Sequence, residues 1–511
     1  MLNKFFFWLI TGLSFFNLHA AQNVVQTNKT NGTLSEEFLK EFSFYAEQAM
    51  SAWQVPGMAI GIVKNNQTIL SKGFGVKELG ESAKVNSDTL FQIGSITKSF
   101  TSSLIAMMVD EENIEWDEPV IDRFPDFVLF DPWATRAFQI QDLLAQRSGL
   151  SPNAGDAQSY FGASRLQMIR HLRYIKPVAS FRSTFAYQNS FFLVAGEILS
   201  AVTGLSWEKM VKERLLEPLG MKNSNTGLKN FLAYKNASQL HRRVGGQTRK
   251  IPDEYPFLNE YSLFGPAGGI NSTVNDMNQW LKFQLNKGVF NDAPLISKGS
   301  LERTYRRYIY AGNFFDSDNY YGLGWCIREY SPYPIIWHDG ATAGFSSMLA
   351  FIPQENLGIV VLTNCANNNL SKALAMQFFD LYYQKIVKDW SQDLLEDQII
   401  LERQQKGKDV KPKDPEAHLP LEKYVGIFFN ELYGKIEVVL QEDKLQMILG
   451  SKATPFILEP WNRDTFELLW SALAVEADKK LLINFIIGPE GTANQMSIPF
   501  LEDGLNIFNK L

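Results

Sequence analysis

The chain has 511 residues, 45% of them apolar and 20% charged, which gives a globular protein room for two domains and a full hydrophobic core. A formal charge of −6 leaves no basic excess to hold a polyanion, so nucleic acid is not an expected partner. Cys326 and Cys365 lie in apolar, strand-like runs away from histidines at metal-ligand spacing, and no HExxH occurs, so no zinc site and no cofactor is expected.

Lys4, the apolar block Phe5–Phe16 and the small residues of NLHAAQ read as a signal peptide over residues 1–20. The block falls short of the ~20 residues that span a bilayer, so the mature protein is expected to be secreted or periplasmic, with no transmembrane span. SEEFLKEFSFYAEQAMSAW then has helical apolar spacing behind a serine start, and GMAIGIVKNNQTILSKGFG reads as a hairpin turning at Asn65 and Asn66. From about Ser95 to Leu285 the patterns are mainly helical. Strands return in YGLGWCIREY, PIIWHD, FSSMLAFIP and NLGIVVLTN, followed by a helix from about Leu370 to Trp390.

This order predicts an α+β fold over residues 34–390, in which one antiparallel sheet is built from distant pieces of chain and flanked by helices, with a helical lobe inserted. Residues 391–420 are dense in charge and read as a linker with a helical start. Residues 421–511 alternate apolar and polar in short runs, which predicts a small all-β, barrel-like domain. Its aromatics Tyr424, Phe428, Tyr433 and Trp461 are expected in its core. The two cysteines are expected to be buried free thiols.

The chemistry centres on GSITKSF. A serine hydroxyl is a poor nucleophile unless a base sits beside it and something stabilises the oxyanion it creates. Ser95 and Lys98 are three residues apart at the head of an apolar helix, so they share a face. Burial or a second cation nearby would lower the lysine pKa enough for it to accept a proton. An SxxK alone is a weak signal, and the chain has another at Ser206 to Lys209, where the serine follows Gly204 and reads as a helix cap.

The surroundings of Ser95 separate the two. VPGMAIGIVKNNQTILSKGFGV, DTLFQIGSITKSFTSSLIAMMVDE, IQDLLAQRSGL, YQNSFFLVAGEILSAVTGLSWEKMVKERLLEPLGMKNS, GPAGGINSTVNDMNQWLKF and WHDGATAGFSSMLAFIPQENLGIVVLTN occur in this order. Together they resemble the class C β-lactamase family of serine hydrolases, whose relatives include D-alanyl-D-alanine carboxypeptidases, D-aminopeptidases and esterases. The resemblance spans roughly residues 35 to 388, and the C-terminal domain is similar to a small β domain often fused to this family.

The resemblance implies that Ser95 attacks a carbonyl while Lys98 and Tyr187 share the proton transfers, with the choice of base open. Asn189, the last residue of YxN, would hold a substrate amide through its donor and acceptor together. In the third motif, where β-lactamases usually carry KTG, this chain reads His338, Asp339, Gly340. His338 is expected to line the cleft as a proton-dependent donor, which puts antibiotic carboxylate recognition in doubt and favours peptidase or esterase action. Gly340 would let the backbone approach substrate, and the Ala341 amide would join the Ser95 amide as the oxyanion hole.

Two further sequences imitate family motifs: Tyr234 to Asn236, read as a surface loop, and Ser317-Asp318-Asn319, read as a turn before a strand. Absence of GxSxG removes the α/β-hydrolase signature. The expected substrate is a small molecule or peptide, with a cell-wall peptide ending in a D-amino acid first. A weak class C-type β-lactamase and a penicillin-binding sensor that acylates without turnover are the alternatives. Capping the cleft, binding a partner and homo-oligomerisation are the uses open to the C-terminal domain.

Overall fold

A computed structural model describes residues 34–252, 255, 258, 260–385, 388–405, 410–450, 455–469, 481–499, 501 and 505–511. The expected signal peptide over residues 1–20 lies outside them. Ser35 accepts from the Phe38 amide at 3.1 Å and starts helix α1 (Glu36–Ala52), which buries Phe38, Phe42, Ala46 and Ala49 on one face. Asn65 and Asn66 take positive φ, as side chains of this kind tolerate, and turn strand β1 (Gly57–Lys64) into β2 (Gln67–Gly75).

The remaining strands of the main sheet come from the other end of the fold: β3 (Ile309–Phe314), β4 (Ser317–Tyr321), β5 (Cys326–Arg328), β6 (Ile335–Ala341), β7 (Ser346–Ile352) and β8 (Leu357–Thr363). Their spatial order is β3-β4-β5-β6-β7-β8-β1-β2, and every neighbouring pair is antiparallel. Strands β1, β7 and β8 are buried along their whole length because both faces are covered. Met58, Ile60, Ile62, Met348, Ala350, Ile359 and Val361 pack into one core with α1 and helix α5 (Leu370–Tyr382). The alternate residues Ala59, Val63, Leu349, Phe351, Val360 and Leu362 pack into a second core beneath the helical lobe.

That lobe holds the helices that build the site: α2 (Thr97–Asp110), α3 (Ser190–Thr203) and α4 (Val274–Leu285). From Thr97 to Met108 the whole of α2 is buried, so its hydroxyls need internal partners. Thr101 Oγ1 donates to the Pro266 carbonyl at 2.7 Å and accepts from Trp207 Nε1 at 2.9 Å, while Phe100 stacks on Trp280 with centroids 3.6 Å apart. Both cysteines are buried free thiols.

Residues 391–405, assigned above to the linker, belong instead to helix α6 (Trp390–Gln405), which is docked on the first domain. Trp53 Nε1 donates to Ser391 Oγ at 3.0 Å, and a largely buried ion pair joins Arg243 to Glu402 at 2.8 Å. Charge density misled the reading because the uncharged Ser391 and Gln398, with Glu402, form the face turned to the body of the protein while Glu396, Asp397 and Arg403 stay exposed. After the extended stretch 410–420, eight strands close a barrel. Tyr424, Phe428, Tyr433 and Trp461 are all buried in it, and Tyr424, Phe466 and Phe485 pack with centroids 4.9 to 5.6 Å apart.

The barrel rests on the helical lobe. Phe161 lies 5.0 Å from the Tyr433 ring and 6.0 Å from the Phe508 ring, and His171 Nδ1 donates to the Leu432 carbonyl at 3.0 Å. Phe161 ends a 3₁₀ turn, Asp156–Phe161, whose first residue reaches the candidate site.

Candidate active site

Ser95 sits in a 3₁₀ turn, Gly94–Ile96, immediately before α2, and it is partly exposed where its neighbours are buried. Two backbone crossings hold the turn against β6. Gly94 has φ +52°, and a Cβ there would fall 2.7 Å from the Ala341 nitrogen. A Cβ on Gly340 would fall 1.9 Å from the Ile93 carbonyl oxygen, itself bound by Ser347 Oγ at 2.8 Å. Gly340 therefore serves the approach of the Ser95 turn rather than the approach of a substrate. Ala341 follows it at the exposed end of β6 and shares the cleft wall with Ser95.

Lys98 is fully buried in the first turn of α2, and its Nζ has three acceptors: Ser95 Oγ at 3.1 Å, Asn189 Oδ1 at 2.7 Å and the Ala267 carbonyl at 2.9 Å. It also stands over the rings of Tyr187 at 4.7 Å and Phe192 at 5.3 Å. Burial pulls its pKa down to about 7, and the carboxylates of Asp156 and Asp339 pull the other way. No second cation is needed.

Tyr187 and Asn189 come from the loop before α3. Gln146 fixes that loop by accepting from the Gln188 amide at 2.7 Å and donating to the Gln188 carbonyl at 3.0 Å, and the Tyr187 carbonyl accepts from the Asn153 amide at 2.7 Å. Burial holds the Tyr187 pKa well above the ordinary tyrosine value, and the Ser95 side chain lowers it only in part. Asn189 is placed differently from the expectation. Its Oδ1 accepts from Lys98 and its Nδ2 donates to Asp156 Oδ2 at 2.6 Å, so its amide orients the lysine instead of waiting for a substrate.

His338 does not line the cleft. It is 1% exposed on β6, behind Tyr187, with ring centroids 6.2 Å apart. Its Nδ1 donates to the Asp339 carbonyl at 2.6 Å, which leaves Nε2 to accept from the Tyr321 hydroxyl at 2.9 Å. Burial lowers its pKa to about 4, so it is a neutral imidazole at physiological pH. Asp339 points to the opposite face of the sheet, where Lys372 pairs with it at 2.9 Å; burial raises its pKa, but Lys372 and the neighbouring donors together set it below the usual carboxylate value.

The cleft above Ser95 encloses about 320 Å³, with Asp156, Asn189, Arg242, Ala341 and Thr342 among its polar and backbone walls. Ala157, Tyr160, Leu258, Phe264 and Ala267 supply an apolar and aromatic wall. Asp156 is the functional position that sequence reading missed, because a lone aspartate in SPNAGDAQSY carries no spacing signal. The second SxxK and the Ser317-Asp318-Asn319 imitation are structural: Ser206 Oγ accepts from the Lys209 amide at 3.3 Å as a helix cap, and Asn319 Nδ2 donates to the Phe314 and Ser317 carbonyls inside a hairpin. Among the described residues no cluster of metal-ligating side chains occurs, and no single helix is long and apolar enough to cross a membrane.

Comparison with known proteins agrees with this geometry. Residues 44–377 match the family model described as Beta-lactamase, and residues 410–507 match one described as a domain of unknown function, DUF3471. The chain is 27% identical over 490 residues to the unguisins hydrolase ungD' of Aspergillus campestris, covering 90% of this chain and 89% of that protein. It is 26% identical over 319 residues to penicillin-binding protein 4 of Amycolatopsis lactamdurans, covering 61% of this chain and 81% of the relative. The octameric penicillin-binding protein homologue from Pyrococcus abyssi superposes with a TM-score of 0.61 at 22% identity, covering 90% of this chain and 98% of that one, a likeness of fold. With residues 44–377, which hold the Ser95 turn, the helical lobe and the main sheet, matched to that model, the chain belongs to the beta-lactamase family of serine hydrolases.

Proposed function

We propose that the protein is an exported serine hydrolase that forms an acyl-enzyme on Ser95 and passes the acyl group to water. The observation that carries this reading is the pairing of Ser95 with a buried lysine at 3.1 Å whose pKa is brought down to about 7. Such an amine is largely unprotonated in mildly alkaline solution and can take the serine proton. Tyr187 has the opposite character: its raised pKa keeps the hydroxyl protonated, suited to handing a proton to the leaving group and recovering it from Lys98. The Ser95 and Ala341 amides are the proposed oxyanion donors.

The proposed substrate is a small amide or peptide ending in a D-amino acid, with esters next. The cleft's volume and aromatic wall suit an apolar end group. A relative named as a hydrolase aligns over both domains, which supports turnover over a sensor that acylates once. The apolar N-terminal block supports secretion or periplasmic residence, checked by the N-terminal mass of protein recovered outside the cytoplasm. Self-association is proposed from the octameric homologue and is read by light scattering.

The test is a panel of D-amino-acid p-nitroanilides, p-nitrophenyl esters and a chromogenic cephalosporin, each with the mature protein and with Ser95→Ala. Faster turnover of amide or ester than of cephalosporin, lost by roughly 10³-fold in Ser95→Ala, is expected. Cephalosporin as the best substrate would favour the β-lactamase reading. A stable adduct without turnover would favour the sensor.

A further inference from the structure

We propose that Asp156 is a positioning residue of the Ser95 site: through the Asn189 amide it locks the Lys98 amine onto Ser95 and sets the negative charge against which that amine works. The proposal rests on the reading of Lys98 as the base. The chain of contacts is continuous, running from Asp156 Oδ2 to Asn189 Nδ2 at 2.6 Å, from Asn189 Oδ1 to Lys98 Nζ at 2.7 Å, and from Lys98 Nζ to Ser95 Oγ at 3.1 Å.

The chemistry of the first link gives it direction. An asparagine amide has an oxygen end and a nitrogen end of nearly the same shape, and only its partners decide which faces where. An ionised carboxylate can only accept. Asp156 therefore demands the NH₂ end of Asn189, which leaves the oxygen end facing Lys98. A residue at 156 with both donor and acceptor would satisfy either orientation, and the flipped amide would present N–H groups to the lysine.

The second effect is electrostatic. The groups acting on Lys98 are Asp156 from the 3₁₀ turn, Asp339 and His338 from β6, and Tyr187 from the loop before α3. His338 is neutral and Tyr187 protonated, and Asp339 is paired with Lys372 on the far side of the sheet. Asp156 lines the cleft wall beside Ser95 and Asn189. Among the described residues it is thus the carboxylate on the cleft side that favours the ammonium form, and its removal should make Lys98 an amine at lower pH.

The experiment is the pH dependence of Ser95 phosphonylation by a fluorophosphonate, in which Oγ displaces fluoride from phosphorus, read as a second-order rate from pH 5 to 9, in wild type, Asp156→Asn, Asp156→Glu and Lys98→Ala. Expected are an acid limb in wild type that Lys98→Ala abolishes, a limb moved to lower pH by roughly half a unit or more in Asp156→Asn, and a return toward wild type in Asp156→Glu. Because Asp156→Asn also loosens the amide lock, its plateau rate should fall by roughly threefold to tenfold. An Asp156→Asn profile with the wild-type limb, in protein whose wild type shows a Lys98-dependent limb, overturns the proposal while leaving the function intact. Should wild type not react with the fluorophosphonate, or Lys98→Ala keep the same limb, the functional reading fails and the proposal with it.

Discussion

Lys98 is a buried cation precursor whose ordinary pKa of 10.5 is brought to about 7 chiefly by loss of solvent. Since the neutral amine is the competent form, the acylation rate should climb as pH rises through about 7 and level off above it. His338, with a pKa near 4, should add no limb between pH 5 and 8. Replacing it by lysine, which would restore the first letter of KTG, should place an ammonium in a 1% exposed position and cost about 3 kcal/mol, read by urea unfolding, with no gain in turnover of carboxylate-bearing substrates. Gly94→Ala combines a positive φ with a 2.7 Å approach to the Ala341 nitrogen. It should cost about 1–3 kcal/mol and slow acylation by roughly tenfold or more, because the same shift displaces a proposed oxyanion donor.

At the scale of elements, the site is a junction of a 3₁₀ turn, a helix start, a strand end and a loop, and Gln146 fixes the backbone of that loop. Gln146 pairs with both backbone groups of Gln188, so Gln146→Ala leaves a buried amide and carbonyl unsatisfied. A loss of about 1–3 kcal/mol is expected, together with a fall in kcat that exceeds any rise in KM, since Tyr187 and Asn189 flank Gln188. Much of this junction was legible in the sequence: SxxK ahead of a buried helix, YxN ahead of another and a strand ending in HxG. What the sequence did not show were contacts between polar residues 33 and 91 positions apart, such as Asn189 with Asp156 and Lys98, which follow no local period. His338 was misread for a related reason. The two-residue alternation of β6 tells which face it takes, but only Tyr321 and Tyr187 packing over that face make it an interior residue.

At the scale of the molecule, the sheet is sewn from both ends of the first domain, and the barrel closes on the lobe at the far end of the turn that begins with Asp156. That contact gives the C-terminal domain a mechanical link to the cleft. Phe161→Ala removes an aromatic ring packed between lobe and barrel, for an expected loss of about 3 kcal/mol. Faster protease cleavage within 410–420 and slower acylation of folded protein should accompany it. The reading of 391–405 as linker failed at this scale, where docking on Trp53 and Arg243 decides what an otherwise solvent-like sequence does. Whether Ser95 is the nucleophile is read most directly by a time course of intact mass with a penicillin and, separately, a fluorophosphonate. One adduct per chain that maps to Ser95 and is absent in Ser95→Ala is expected. An adduct that survives Ser95→Ala, or folded protein that takes up neither reagent, would contradict that role for Ser95.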